Sequence, residues 1–340
     1  MEALLRERER ESKRRLGHIY QSIISIENLL ISWQEFLRGK RKRKDVAEFS
    51  VHLMDNILAL HRDLFHKTYR HGPYHAFKIN DPKPRDIHKA GVRDRLLHHA
   101  IYRILYPYFD RKFIYDSYSC RVDKGTHRTI NRFRELSRKV SRNDTKTAWV
   151  LKCDISKFFA SIDHKILKNI LGRYIKDSSA IWLLGQVIDS FNTKGKRGVG
   201  LPLGNLTSQL LVNIYMNEFD QFLKRILKVK YCIRYADDFV IFNKNKLNLT
   251  NLIPQISEYL KQELKLSLNP DKLFIKTLSS SVDFLGWVHF PNHRVLRTST
   301  KQRMLKQLKQ NQTSETRNSY LGLLKHGNTH KLIKEKLSQK

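Results

Sequence analysis

An α+β fold with a helical lobe at each end is predicted for this 340-residue chain by three observations. Apolar residues at helical spacing dominate both ends. Short apolar runs bounded by Gly, Pro or Asp gather in the middle. The order of helices, strand, helix, long helix, hairpin, helix and strands mixes the two element types without an internal repeat.

Taken in order, residues 1–15 alternate Arg and Glu, as on a solvated helix face. Ile19 to Leu37 and Val46 to Tyr69 carry apolar residues at helical period, among them Ile57, Leu60 and Leu64, and flank the basic cluster GKRKRK at 39–44. Gly72, Pro73, Pro82 and Pro84 break the helical pattern over 70–90, which reads as strands joined by tight turns. A long helix is predicted over Arg93 to Phe113. WVLKCDISKFF (149–159) reads as an apolar strand closed by a carboxylate, followed by a helix from His164 to Tyr174. The Gly-rich loop KGKRGVGLPLGN (194–205) feeds a long helical run. The strand-like stretch RYADDFVIF, a helix over Leu252 to Leu264 and short strands at FIKTL and VDFLGWV follow. Residues 291–340, with 12 Lys and Arg against two Glu, form a basic helical lobe. The expected division is therefore a helical extension at 1–70, a central domain at 71–290 whose main motifs fall within 149–290, and the basic lobe at 291–340.

The formal net charge of +33 points to a polyanion as partner, nucleic acid above all. No run approaches the roughly 18 apolar residues of a spanning helix and the N-terminus lacks a secretory core, so no membrane contact and a cytoplasmic location are expected. Three cysteines without CxxC spacing argue against a disulfide framework or a zinc ribbon.

Asp237 and Asp238 interrupt an apolar stretch, and burying charge is costly unless it is paired or holds a metal. On one straight strand the two side chains would face opposite ways. At a hairpin tip, with Tyr231 to Tyr235 and Phe239 to Phe242 as arms, both can approach one cation. Asp154, at the end of a second strand, completes an oxygen-rich set suited to Mg²⁺. Two such cations about 4 Å apart are what nucleotidyl transfer needs, one activating a 3′-hydroxyl and the other stabilising pyrophosphate as it leaves.

These residues carry a resemblance. YADD at 235–238 matches the YxDD box of reverse transcriptases, and CDISKFFASIDH at 153–164 resembles their first catalytic motif. GLPLGNLTSQLLVNIYMNEFD at 200–220 is similar to the loop-helix motif beneath the incoming nucleotide, VDFLGW at 282–287 to the primer grip, and PKPR at 82–85 to the fingers segment that holds the triphosphate. The resemblance implies a right-hand polymerase (fingers, palm, thumb) with an antiparallel palm sheet. It implies RNA-directed DNA synthesis from dNTPs on a template RNA with a DNA or RNA primer, using two Mg²⁺ ions for which Mn²⁺ substitutes.

Carried onto this chain, the resemblance makes Asp154 and Asp237 the bridging metal ligands, with Asp238 beside them. Lys272 becomes a catalytic cation near the leaving pyrophosphate. Lys83 and Arg85 bind the triphosphate, and Phe159 is the aromatic gate against a 2′-hydroxyl. Leu203 and Gly204 meet the nucleotide, Leu203 standing where high-fidelity relatives often have Gln. Gln209 orients that loop or the template base, and Phe284, Leu285, Gly286 and Trp287 hold the primer end.

LPLGNLTSQ and DSYSCRVDKGTH (116–127) look most like enzymes of diversity-generating retroelements, which copy a template-repeat RNA with errors at adenines. Bacterial, archaeal or phage origin, a small basic accessory protein and a structured RNA are implied in turn, and no endonuclease or RNase H region is expected in the roughly fifty residues after VDFLGW. Group II intron-like, retron and phage-defence reverse transcriptases are the neighbouring readings. A non-catalytic RNA-binding protein of the same fold is the reading from another class.

Overall fold

The computed structural model describes residues 15–80, 84–311 and 313–336. The Arg/Glu run at the extreme N-terminus therefore lies, except for Arg15, outside the described residues. The chain folds into two compact units, each assembled from three stretches: Met1–Tyr115, Ile155–Lys228 and Glu258–Ser267 in the first, and Asp116–Asp154, Val229–Ser257 and Leu268–Lys340 in the second.

The first unit is mainly helical. Helices α1 (Ile19–Ile24), α2 (Ile26–Leu37), α3 (Lys44–Val51) and α4 (Leu53–Phe65) precede a hairpin of β1 (His75–Ile79) and β2 (Arg85–Lys89) and the long α5 (Val92–Asp110). The apolar run from Ile19 to Leu37, predicted as one helix, is two: Ser25 leaves helical geometry and its Oγ accepts the Asn28 N–H, capping α2. Apolar period alone does not register such a break, because Ile23, Ile24 and Leu29 are buried on either side of it. A short 3₁₀ turn (Phe158–Ser161), α7 (His164–Tyr174), α8 (Ser178–Asp189) and α9 (Leu206–Gln221) follow in the same unit. Helix α9 buries Leu210, Leu211, Ile214, Tyr215 and Phe219 on several sides, as expected of an interior helix, and packs on α5.

The second unit is built on a four-stranded antiparallel sheet in the order β4 (Cys232–Tyr235), β5 (Asp238–Asn243), β3 (Trp149–Asp154), β6 (Phe274–Thr277). Side chains alternate between its faces. Val150 on β3, Ile233 on β4, and Val240 and Phe242 on β5 share one face and form a core with Phe133, Leu136 and Val140 of helix α6 (Thr126–Ser141) and with Phe284. A three-stranded meander, β7 (Val282–Phe284), β8 (Trp287–His289) and β9 (Arg294–Leu296), follows. Its Trp287 enters a separate core with Ile130, Met304 and Leu324, the last two from α11 (Thr298–Gln310) and α12 (Ser314–Leu324). Gly327 lies so close that a Cβ there would come within 2.0 Å of the Trp287 ring. Helix α10 (Lys246–Leu264) begins in this unit and ends in the first.

Candidate active site

β4 and β5 form a two-residue hairpin. Tyr235 pairs with Asp238, leaving Ala236 and Asp237 as the turn. Ala236 has φ of +56°, in the left-handed region that a two-residue hairpin demands at its first central position and that glycine takes most readily. An alanine there carries a cost of about 1 kcal/mol or more.

Across the sheet, Asp154 at the end of β3 stands directly opposite Asp238 at the start of β5. Asp154 is buried, and like charges facing each other across two strands destabilise a sheet unless something offsets them. Two lysines do so. Lys152, two residues before Asp154 and thus on the same face, donates from Nζ to Asp238 Oδ1 at 2.7 Å although its own side chain is 7% exposed. Lys272, on the 3₁₀ turn Pro270–Lys272, donates to Asp154 Oδ2 at 2.8 Å. That turn is fixed to the same strand end, for the Asn269 N–H donates to the Asp154 carbonyl at 2.8 Å.

Asp237 differs from both neighbours. Among the described residues no lysine hydrogen-bonds to it, and burial first, then the charges of Asp154 and Asp238, push its carboxyl up to about 6 against the pull of its own backbone N–H and of Lys272. Asp238 is also raised, mainly by burial, with Lys152 opposing the shift. Beside them burial pushes the Cys153 thiol up to about 12, so it stays neutral.

The chemistry of this donor set suits a hard divalent cation. It offers carboxylate oxygens only, and burial first, then the mutual repulsion of the carboxylates, raises Asp237 and Asp238, a penalty that a cation would relieve. Among the described residues no three His, Cys, Asp or Glu donors are already gathered into a metal cage. The carboxylates of Asp154 and Asp238 face lysine ammoniums, so binding of a cation would exchange these partners. Lys152 escaped the sequence reading. Its signal was the two-residue spacing from Asp154, which puts both on one strand face.

In the first unit, the residues expected to meet the nucleotide converge on one loop. The Phe159 carbonyl accepts the Leu201 N–H at 2.8 Å, and the Phe159 side chain is half-buried whereas that of Phe158 is in the core. The His88 N–H donates to the Leu203 carbonyl at 3.0 Å and Asn205 Nδ2 to the His88 carbonyl at 2.7 Å, which joins β2 to the loop. Gly204 is required there twice over: its φ is +105°, and a Cβ would meet Ile87 Cγ2 at 2.8 Å. Gly204 and Gln209 line a cavity of about 370 Å³ whose walls also carry Lys40, Arg43, Lys89 and Arg95. Arg85 begins β2 and is exposed, while Lys83 lies outside the described residues.

Of the expected primer-grip residues, Phe284 and Trp287 are each buried, in separate cores. Leu285 and Gly286 form the two-residue turn between them, both at positive φ (51° and 82°) and only partly buried, so the tip of this hairpin is the part available to a ligand.

The sequence matches the family model described as "Reverse transcriptase (RNA-dependent DNA polymerase)" over residues 80–289. Among curated proteins it is 27% identical over 271 residues to "Protein YkfC" of Escherichia coli, covering 67% of this chain and 68% of that protein. It is 24% identical over 296 residues to the "Group II intron-encoded protein LtrA" of Lactococcus lactis (66% and 47% covered). It is 22% identical over 292 residues to the "Putative COX1/OXI3 intron 2 protein" of Saccharomyces cerevisiae (67% and 33%). The chain thus spans about two thirds of the first of these relatives and less than half of the other two. Among solved structures, apo telomerase from Candida tropicalis matches with a TM-score of 0.50 at 14% identity, covering 72% of this chain and 60% of that one. That likeness and the family match bear out the polymerase fold with its antiparallel sheet.

Proposed function

The chain belongs to the reverse transcriptase (RNA-dependent DNA polymerase) family, and from that premise we propose that it extends a primer with dNTPs along an RNA template, using Asp154, Asp237 and Asp238 as its catalytic carboxylates. The observation that carries this reading is the register of β3 on β5, which sets Asp154 opposite Asp238 with Asp237 in the adjoining turn. Two divalent cations bound there, Mg²⁺ or Mn²⁺, would supply activation of the 3′-hydroxyl and neutralisation of the phosphates. Lys272, held 2.8 Å from Asp154, is a proton donor and counter-charge for departing pyrophosphate. Lys152 opposes the upward push of burial on the Asp238 carboxyl and aligns it while it awaits a cation. Phe159 excludes a 2′-hydroxyl, Leu203, Gly204 and Gln209 meet the nucleotide, and Lys83 and Arg85 hold its triphosphate. The turn Leu285–Gly286, between Phe284 and Trp287, holds the primer end.

The net charge of +33 suits an RNA partner and a structured retroelement RNA. No described helix is long and apolar enough to cross a membrane, and we take the cytoplasm as the place of action.

The finer reading is an error-prone enzyme of a diversity-generating retroelement, working with a small basic accessory protein. LPLGNLTSQ and DSYSCRVDKGTH support it. A group II intron-like role is the second reading, favoured by the similarity to LtrA and the yeast intron protein. Primer extension on poly(rA)/oligo(dT) with the wild type and Asp237→Ala tests the enzyme reading. Loss of extension with RNA binding nearly intact is expected, and a variant that still extends the primer would refute the carboxylate assignment. Sequencing the cDNA then separates the finer readings, since errors confined to template adenines are expected of the first and uniform fidelity of the second.

A further inference from the structure

DSYSCRVDKGTH has no task in the chemistry above, yet the structure packs it against the catalytic hairpin. The Arg234 N–H donates to the Asp116 carbonyl and the Tyr118 N–H to the Arg234 carbonyl, both at 2.9 Å, so Ser117 forms a parallel rung beside β4. Arg132 Nε holds the Asp116 carboxylate at 2.7 Å, Arg121 Nη1 donates to the Ser117 carbonyl at 2.9 Å, and Thr126 Oγ1 donates to Tyr235 Oη at 3.1 Å. Within this frame the Arg234 side chain is 2% exposed. Its Nη1 donates to the Ala236 carbonyl at 3.2 Å and its Nη2 to Ser117 Oγ at 3.0 Å.

We infer that Arg234 is the positioning residue of the catalytic turn: its guanidinium bridges Ser117 and the Ala236 carbonyl, and so holds the left-handed alanine that aims Asp237. A buried guanidinium is costly unless its donors are met, and here two of them are spent on the turn and on the segment behind it. Through its bond to the Ala236 carbonyl, Arg234 reaches Asp237 by way of the turn's backbone. A lysine has one ammonium and cannot hold both acceptors in the same fork geometry. Glycine at 236, by contrast, adopts positive φ without strain and needs less holding.

The inference rests on Asp237 being a cation ligand, and the experiment keeps the two apart. Arg234→Lys, Ser117→Ala, Arg234→Lys/Ala236→Gly and Asp237→Ala are compared with the wild type by Mn²⁺ binding in electron paramagnetic resonance, by hydrogen exchange across 234–239, and by single-turnover primer extension. Arg234→Lys is expected to weaken Mn²⁺ binding about tenfold, to speed exchange of the turn amides and to lower the extension rate about tenfold, with the KM for primer–template within twofold. Adding Ala236→Gly is expected to restore at least a third of the loss. Should Arg234→Lys fail to fold, Ser117→Ala, which deletes one acceptor, carries the test with a threefold expected change. Unchanged Mn²⁺ affinity and turn exchange in the folded variant would overturn the inference. Wild-type Mn²⁺ binding that survives intact in Asp237→Ala would instead overturn the carboxylate reading on which it rests.

Discussion

Lys272 and Asp154 are 118 residues apart in the chain and 2.8 Å apart in the fold, and the backbone bond from Asn269 to Asp154 keeps them so. The carboxylate and its counter-charge are thus set by one strand end and one 3₁₀ turn, although 42% of the lysine side chain still meets solvent. A side chain anchored at its ammonium yet partly open to solvent suits a group that would serve a departing anion.

Lys272→Ala is accordingly expected to slow single-turnover nucleotide addition by about 10² to 10⁴-fold, the range for loss of a general acid, with primer–template KM nearly unchanged. Rapid-quench kinetics measures it. A rate within threefold of the wild type would remove Lys272 from the chemistry.

Lys152→Met is expected to destabilise the metal-free protein by about 2 kcal/mol or more, because it strands Asp238 beside Asp154 without a partner. Lys152→Met/Asp238→Asn should recover most of that loss, since the two residues act as a pair. Urea titrations of the four proteins in EDTA give the coupling, and additive losses would show that the pair is not a unit.

Leu203→Gln is expected to change the error spectrum. An apolar side chain makes no directional hydrogen bond to the nucleotide, whereas Gln adds one at a loop anchored by the His88 amide. Deep sequencing of cDNA from both versions is the measurement, and identical misincorporation at template adenines would sink the idea.

His289 gives a pH prediction. It packs at a tilt against Phe133 in the second unit, and burial first, then Arg294, push its pKa down to about 3. The unfolded chain takes up a proton as pH falls through about 6.5 and the folded chain does not until about 3, so this contribution to stability is full above 6.5 and lost on acidification. From pH 6.5 to 5.0 the loss is about 2 kcal/mol. His289→Phe should abolish that part of the acid sensitivity, and denaturant titrations at the two pH values should show the wild type losing more than the variant.

Much of this is legible in the sequence. The helix from His164 to Tyr174 falls where its apolar period predicts, and the hairpin tip at Asp237 follows from a pair of carboxylates set between apolar arms. The broken helix at Ser25 is hidden because apolar residues continue on both sides of the cap. Lys152 is hidden for another reason. A lysine in an apolar strand looks like an edge residue until the strand order shows β3 flanked on both sides, with Asp238 facing it one pair further along. The embrace of Arg234 by residues 116–118 depends on hydrogen bonds over 117 positions of sequence, which no local pattern encodes.

The pairing of β3 with β5 has a bearing on how this protein tolerates change in length. One residue inserted or deleted within β5 just after Asp238 would, with Asp238 held at Lys152, exchange the faces of every following side chain and move Val240 and Phe242 out of the core, or, with the core kept, separate Asp238 from Lys152. A library of single-residue insertions should therefore contain, at this point, no member that is both soluble and fully active. Each variant gives up either the packed core or the partner of the carboxylate, so the fold itself ties the catalytic register to the core.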